Sequence, residues 1–290
     1  MERRTFLASL VCTAAAQPPR AKPLLCIFSK HMARFGWDEL GAEAGRLGFD
    51  GVDLTVRPKG HVLPERVPED LPRAVEAIRK HGLQVPMITT DLKDEADPAA
   101  RPTFAAMQKL GIRLYKPGYW RYERGVPAEK TIAESRRRFQ GLLALGREYG
   151  VVAGLHNHSG PYVGCAVWDF REILAGADPR EAGFYFDPCH AVIEGGLYNW
   201  RVSLDVALPR MKMSAIKDFE WEKRGGRWQV AWRPLGQGMV PWQDVFRAFA
   251  QAGFEGPLSL HLEYPDGDEL PSIARDLEFL RQQVNAAYGG

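Results

Sequence analysis

The chain has 290 residues, of which 45% are hydrophobic, and this is enough for one large core. Its formal net charge is +2 with acidic and basic residues interspersed, which does not suggest the basic face of a nucleic-acid-binding protein. No apolar run approaches the roughly 18 residues of a membrane span, and the four cysteines form no C-x-x-C pair.

Residues 1–20 differ in kind from the rest of the sequence. Arg3 and Arg4 precede Phe6 and Leu7, a short apolar stretch and the small residues 14–16. A basic start, an apolar stretch and small residues are typical of a secretory signal, and the paired arginines indicate the twin-arginine type. We therefore predict a signal peptide at residues 1–20, one domain at residues 21–290, and a periplasmic or secreted location. A cytoplasmic protein with a disordered tail is the alternative.

Apolar runs and helical periodicity alternate along the remaining chain. Short apolar runs predict eight strands, at residues 22–29, 49–55, 84–90, 112–116, 151–155, 183–186, 211–216 and 258–262. Apolar residues at helical spacing predict a helix after each strand, at residues 37–47, 70–80, 98–110, 131–149, 167–174, 200–206, 242–252 and 273–284. A hairpin-like insert covers residues 219–230 and turns at Gly225 and Gly226.

This alternation predicts the fold class. Strands that alternate with helices, without a linker between them, favour a parallel sheet covered by helices. Eight such units favour an α/β protein that closes into a (β/α)8 TIM barrel. No Gly-x-Gly-x-x-Gly follows the first strand, so a dinucleotide-binding fold lacks its main sequence signal.

Acidic and imidazole side chains follow the predicted strands at their C-terminal ends. Strand six ends in Asp187 and, three residues later, His190. Strand five ends in His156 and His158, and strand eight ends in Glu263. Residues two apart share one side of a strand, so His156 and His158 are expected to face the same way. A parallel α/β barrel builds its active site from residues in these positions.

Asp187, Glu263 and His156 come from three strands and are the predicted metal ligands. Mixed carboxylate and imidazole ligands suit Mn²⁺, Zn²⁺, Fe²⁺ or Co²⁺ better than Ca²⁺. Each residue also has a structural alternative. Asp187 before a proline can cap a turn, and Glu263 can form an ion pair at the barrel rim. Lys217 follows strand seven and can pair with the adjacent Asp218 or with another acid at the rim.

The loops beside the strand ends supply candidate substrate-binding residues. The polar loop after strand two contains Arg57 and His61, and the loop after strand four is aromatic and basic around Trp120. Aromatic faces match the CH faces of a sugar ring, so Trp120 is predicted either to bind sugar or to pack at the rim. His158 is predicted to contact substrate, with a hydrogen-bonded wall histidine as the alternative. His261 is predicted to pack inside the barrel.

Five short segments, in this order, resemble the xylose isomerase-like barrel superfamily over about residues 22–285. The superfamily includes sugar phosphate isomerases and epimerases, ketose 3-epimerases, inosose dehydratases and endonuclease IV. The segments that carry the resemblance are residues 51–54, 155–158, 186–190, 216–218 and 260–263.

The resemblance implies a divalent metal at the strand ends, held by a Glu, an Asp, a His and a second Glu. Asp187 and Glu263 match two of these ligands. His156 stands where the resemblance implies the first Glu, and Ala215 stands where it implies the His. His190 matches a histidine that contacts substrate near the metal. These departures argue against a two-carboxylate epimerase and leave open a lyase, hydratase or isomerase that uses one Glu and one His.

The resemblance further implies a metal-dependent sugar isomerase or epimerase-like enzyme, with Mn²⁺, Zn²⁺ or Co²⁺ as cofactor. It would act on a small keto-sugar, polyol or oxidised glycoside through an enediolate. Glu263 would be a ligand and base, and His156 a ligand or second base. His190 and Lys217 would orient hydroxyls or stabilise negative charge. The alternatives are a dehydratase or lyase and a metal-free carbohydrate-binding barrel; the sequence leaves the oligomeric state open.

Overall fold

Eight parallel strands close into a barrel, which confirms the predicted (β/α)8 fold. The computed structural model describes residues 21–289, so the predicted signal peptide at residues 1–20 lies outside the described residues. The barrel strands are β1 (Leu25–Phe28), β2 (Gly51–Val56), β3 (Gln84–Thr90), β4 (Leu114–Lys116), β5 (Val152–His156), β6 (Ala182–Phe186), β7 (Met211–Ile216) and β10 (Leu258–Leu260). Around the barrel their order is β1-β10-β7-β6-β5-β4-β3-β2.

A helix follows each barrel strand and packs on the outside. The helices are α1 (Trp37–Leu47), α2 (Val67–Arg79), α3 (Ala100–Leu110), α4 (Ala128–Tyr149), α5 (Val167–Ile173), α6 (Pro188–Ala207), α7 (Trp242–Gln251) and α8 (Leu270–Tyr288). The strands read as near-continuous apolar runs because helices cover one face and the barrel interior covers the other. Within residues 21–289, no helix combines the length and the apolar character that crossing a membrane would require.

The end of β6 differs from the sequence prediction. Helix α6 begins directly after the strand, whereas the sequence predicted only a short helix at residues 200–206. The Asp187 carboxylate accepts a hydrogen bond from the His190 backbone N at 3.0 Å, and Pro188 occupies the first helical turn, where its missing N–H costs little. Asp187 is therefore a helix N-cap, and α6 is kinked at Gly196 (φ 60°).

The barrel interior holds a small buried cluster beneath the strand ends. Met87, Tyr185, Met213 and Ala215 pack together there. Gly154 on β5 gives the cluster room, because a Cβ at this position would lie 2.0 Å from the end of the Met213 side chain, which would have to shift. The cluster is apolar apart from the Tyr185 hydroxyl, so it forms a dry base under the polar residues at the mouth.

Polar side chains form a hydrogen-bonded layer around Asp53. Its carboxylate accepts hydrogen bonds from the hydroxyls of Thr89 at 2.8 Å, Ser259 at 2.8 Å and Tyr185 at 3.0 Å. The Tyr185 and Ser259 hydroxyls also lie 3.2 Å from His261 Nε2. This layer joins β2, β3, β6 and β10 inside the barrel. It confirms that His261 packs within the barrel, and it gives the overlying site a rigid floor.

The insert after β7 is a two-stranded hairpin of β8 (Asp218–Arg224) and β9 (Arg227–Arg233). Asp218 is buried and fixes this hairpin to the segment before α7. Its carboxylate accepts hydrogen bonds at 2.9 to 3.2 Å from the backbone N of Phe219, Gly236, Gly238 and Val240 and from Trp242 Nε1. Asp218 is thus fully engaged with donors of the insert and does not pair with Lys217.

We predict that Asp218→Ala destabilises the protein by roughly 3 kcal/mol or more, because several buried N–H groups lose their acceptor together. Chemical denaturation should show the loss as a lower free energy of unfolding. The exposed carboxylate of Asp205 supplies the control, and Asp205→Ala should change stability by less than about 0.5 kcal/mol. Equal effects of the two substitutions would contradict the anchoring role of Asp218.

Candidate active site

A cavity of about 110 Å³ opens at the C-terminal ends of the barrel strands. Every barrel strand, or the loop directly after it, contributes at least one residue to its wall. The lining residues are Phe28, Lys30, Arg57, Thr89, Lys116, Tyr119, His156, His158, Tyr185, Lys217, His261 and Glu263. This is the position at which TIM barrels place their active sites.

A buried ion pair lies at the centre of this end of the barrel. Lys217 Nζ is 3.2 Å from Asp187 Oδ2, and both side chains are buried. Burial raises the pKa of Asp187, but the Lys217 ammonium and the imidazoles of His190 and His156 outweigh it and hold that pKa well below its usual range. Burial lowers the pKa of Lys217, while Asp187 and Glu263 raise it above its usual value. Both groups are therefore charged, and the ammonium lines the cavity.

Asn157 fixes the backbone that carries Asp187. Its side-chain Nδ2 donates to the Asp187 carbonyl at 2.9 Å, and its Oδ1 accepts from the Asp187 backbone N at 2.8 Å. This paired hydrogen bond joins the end of β5 to the end of β6. The sequence placed Asn157 between two candidate histidines without giving it a role, and the only available signal was its position at a strand end.

His156 uses both ring nitrogens within the protein. Its Nε2 lies 3.2 Å from Asp187 Oδ2, and its Nδ1 lies 2.5 Å from the Tyr119 hydroxyl. Burial lowers the pKa of His156 to about 3, so the ring is neutral at ordinary pH. Only Nε2–H can donate to the carboxylate, and Nδ1 therefore accepts from Tyr119. His156 lines the cavity with its ring, and no lone pair is left for a metal or a substrate proton.

His158 keeps one nitrogen free. Its Nδ1 donates to the Ser159 carbonyl at 2.8 Å, and burial lowers its pKa to about 4. The neutral ring therefore carries an unprotonated Nε2 in a residue that lines the cavity. His190 stacks on it with ring centres 3.9 Å apart, but His190 is buried behind the cavity wall, with Nδ1 2.8 Å from Ser159 Oγ. His190 supports its neighbours and does not reach the cavity.

Glu263 lies at the rim of the cavity. Lys30 Nζ approaches its two carboxylate oxygens at 2.9 and 3.1 Å, and its side chain is 25% exposed. Burial raises the pKa of Glu263, but Lys217 and Lys30 together bring it below its usual value. The carboxylate is therefore charged and accessible. Of the residues that line the cavity, Glu263 is the one carboxylate.

The arrangement of these donors does not fit a divalent metal. In the described part of the chain, no group of three or more His, Cys, Asp or Glu side chains is placed to hold an ion. Asp187 and His156 meet, as the sequence predicted, but Glu263 pairs with Lys30 instead of joining them. The Lys217 ammonium contacts the Asp187 oxygen that a metal would need. The Lys217 ammonium, a cation of the protein itself, already balances the Asp187 carboxylate.

The predicted substrate-binding residues divide into two groups. Arg57 and His158 line the cavity. Trp120 does not: it is buried, packs edge-on against Phe139 and lines a neighbouring cavity of about 360 Å³. His61 also lies outside, where its backbone N and Nδ1 contact Thr55 Oγ1 at 2.9 and 3.3 Å. The loop bends back onto the barrel at His61, which the sequence pattern did not reveal.

Lys116 and Tyr119 also line the cavity. Tyr119 belongs to the aromatic loop after strand four that the sequence offered as a substrate wall, whereas Lys116 was missed as a site residue. Lys116 ends β4, and its Nζ lies 3.4 Å from the centre of the Tyr119 ring. Burial lowers the pKa of Lys116 to about 7, and the nearby Arg57 acts in the same direction. The rule that selected Asp187 and Glu263, a polar residue at a strand end, could have found Lys116.

Comparison with known proteins shows the family and the fold of this barrel. Residues 42–283 match the family described as xylose isomerase-like TIM barrel. No curated protein matches the chain in sequence.

Several solved structures share the fold at low identity. The 3-keto-D-glucoside 4-epimerase from E. coli has a TM-score of 0.71 at 14% identity, with 90% of this chain and 100% of that chain covered. A probable 3-DHS dehydratase from Bacillus anthracis has a TM-score of 0.71 at 13% identity, covering 89% and 98%. A xylose isomerase-like protein from Mycobacterium smegmatis, in complex with magnesium, has a TM-score of 0.68 at 16% identity, covering 92% and 98%. At these identities the likeness concerns the fold.

The buried histidines predict that stability falls as the pH falls through 6.5. In the unfolded chain each imidazole takes up a proton near pH 6.5, whereas burial keeps the folded imidazoles neutral. The pKa is lowered to about 4 in His31, about 3 in His156 and about 4 in His158, and well below 6.5 in His190 and His261. Burial raises the pKa of Asp53 to about 6, which partly opposes this trend.

Since the histidines outnumber Asp53, the free energy of unfolding should fall by more than about 1.4 kcal/mol per pH unit between pH 6 and pH 5. Urea denaturation at several pH values measures this slope. The slope should be shallower in His158→Gln than in the wild type. A stability that stays level over this range would contradict the neutral, buried state of these rings.

The Asp187–Lys217 pair makes a second prediction. Asp187→Asn should lower the free energy of unfolding by roughly 3–5 kcal/mol, because it leaves the Lys217 ammonium buried without its counter-charge. The double variant Asp187→Asn/Lys217→Met removes both charges and should recover part of the loss. Thermal and urea unfolding of the four proteins in this cycle give the coupling energy. Additive effects of the two substitutions would show that the ion pair is not formed.

Proposed function

The chain belongs to the xylose isomerase-like TIM barrel family, and we propose that it is a sugar isomerase or epimerase-like enzyme. It would move a proton on a carbon next to the carbonyl group of a small sugar. The observation that carries the proposal is the buried Lys217 ammonium, held by Asp187 and directed into a cavity that also contains one charged carboxylate. A fixed positive charge beside a base is the arrangement that this proton transfer requires.

Lys217 would stabilise the negative charge that develops on the substrate oxygen. When the proton leaves the carbon, its bonding electrons form the carbon–carbon double bond of an enediolate, and the carbonyl oxygen becomes negative. The ammonium is already oriented by Asp187 at 3.2 Å, so little reorganisation is needed when the charge appears. Asn157 and the N-terminus of α6 hold Asp187, and they would act on the reaction only through this position.

Glu263 would take and return the proton. Its carboxylate is charged, partly exposed and close enough to Lys217 for that ammonium to lower its pKa. Because it is the one carboxylate among the lining residues, a single group would carry the proton between neighbouring carbons on one face of the enediolate. The hydroxyl proton would pass to the former carbonyl oxygen as the new carbonyl group forms. This favours isomerisation over an epimerisation that needs a carboxylate on each face. The free Nε2 of His158 would accept a hydrogen bond from a substrate hydroxyl.

The divalent metal expected from the sequence is left out of this proposal. His156 and Ala215 remove two of the expected donors, and Lys217 contacts the carboxylate oxygen that a metal would need. Of the earlier expectations, the small sugar substrate and the exported location are kept as proposals. A dehydratase would use the same base and ammonium, and the product distinguishes it.

Proton transfer can be tested by incubating the protein with neutral and acidic keto-sugars in D₂O. NMR should show deuterium entering the carbon next to the carbonyl, together with the isomeric sugar. Lys217→Met should slow this exchange about 10²-fold to 10³-fold, the usual loss for a donor to a developing oxyanion. Lys212→Met, on the same strand but outside the barrel mouth, should leave the rate unchanged. Treatment with EDTA should also leave it unchanged.

Other outcomes would overturn parts of this proposal. Exchange that EDTA abolishes and Mn²⁺ restores would replace Lys217 with a metal as the stabilising charge. A product that has lost water would identify a dehydratase. If no keto-sugar that binds exchanges its proton, the protein is a binding barrel.

A further inference from the structure

We infer that the substrate carries an anionic group, a carboxylate or a phosphate, which binds between Arg57 and Lys116. The inference rests on the proposed function, since it concerns the same cavity and identifies the class of sugar that enters it. It depends on the charges of the cavity wall, which the proposed proton transfer does not use.

Arg57 and Lys116 belong to one wall of the barrel. Arg57 follows β2 directly, Lys116 is the last residue of β4, and β3 lies between these strands. Thr89 of β3 stands opposite Lys116 in the sheet register and also lines the cavity. The two cations therefore border the same part of the cavity, with a hydroxyl-bearing residue between them.

These two cations lack an acidic partner among residues 21–289. The cavity is lined by four cationic side chains; of these, Lys30 pairs with Glu263 and Lys217 pairs with Asp187. Arg57 instead lies over the Phe28 ring at 5.6 Å, and Lys116 lies over the Tyr119 ring at 3.4 Å. An aromatic face attracts a cation but does not neutralise it. Within the described residues, neither side chain therefore has a carboxylate at ion-pair distance.

Leaving Lys116 without a counter-ion is costly, because the residue is only 3% exposed. Burial and the charge of Arg57 lower its pKa to about 7, and Lys93 lowers it further. Asp91 and Asp53 act in the opposite direction but do not restore the ordinary value. A buried charge that weakens the folded state usually has a function. An anion in the cavity would supply the missing counter-charge.

The geometry also suits a substrate with two recognised ends. In the barrel order, β3 and β7 are four strands apart in either direction and so face each other across the cavity. Lys217 follows β7, where the carbonyl group would react, and Arg57 and Lys116 flank β3 on the far wall. A guanidinium can bind two oxygens of a carboxylate or phosphate, and an ammonium adds a point charge. The anionic end would thus hold the sugar while the other end reacts.

Calorimetric binding of D-glucuronate, D-fructose 6-phosphate and D-fructose tests the inference. At least one acidic sugar should bind ten-fold or more tightly than D-fructose, and the tighter of the two identifies a carboxylate or a phosphate. Arg57→Met and Lys116→Met should each remove most of this preference. Lys130→Met, which removes an exposed lysine on α4, should retain it. Lys116→Met should melt no lower than the wild type, because it removes an uncompensated buried charge.

The uptake of a proton on binding gives a second readout. An anion beside Lys116 favours its charged form and raises its pKa, so binding at pH 8 should take up close to one proton per site. Titrations in HEPES and Tris, which differ in ionisation enthalpy, measure this uptake, and Lys116→Met should abolish it. Equal binding of the acidic and neutral sugars, or a preference that survives both substitutions, would overturn the inference. Failure of proton exchange in a bound acidic sugar would overturn only the proposed function.

Discussion

The contact between Asp187 and Lys217 is the interaction on which the rest of the site depends. Two opposite charges lie 3.2 Å apart on side chains that are almost fully buried, so each requires the other. Asp187 is held on three sides, by Asn157 from β5, by the first turn of α6 and by the His156 ring. The helix N-terminus adds its partial positive charge to those of its neighbours. Through this carboxylate, three barrel segments fix the direction of a single ammonium.

The charge pattern of the cavity follows from a few residue types. His156 supplies an imidazole where the family resemblance implies a carboxylate, and Ala215 supplies a methyl group where it implies an imidazole. Both changes remove ligands for a divalent cation. With less negative charge at the centre, the Lys217 ammonium is sufficient to balance Asp187. The remaining lining cations on the opposite side, Arg57 and Lys116, then give this end of the barrel a positive surplus.

The buried polar and charged groups of the site lower the stability of the folded protein. The described ends of the strands bury an aspartate of raised pKa, several neutral histidines and a lysine that has no acidic partner. Each costs folding free energy that a well-packed apolar residue would not. The apolar cluster below and the outer helices must offset this cost. Such a concentration of unfavourable burial in one cavity is the usual sign of a functional site.

The sequence by itself determined the barrel, because strand and helix periods alternate without interruption and eight units can close only in a few ways. It also identified the strand ends that carry the site, including Asp187, His156 and Glu263, since the polar residue after an apolar run is a local signal. Which of these side chains meet is not local. Only the tertiary structure decided that Asp187 faces Lys217, that Glu263 pairs with Lys30 and that Lys116 meets an aromatic ring and no carboxylate in the described part of the chain. Those pairings depend on strand stagger and loop path, which bring together residues far apart in the chain.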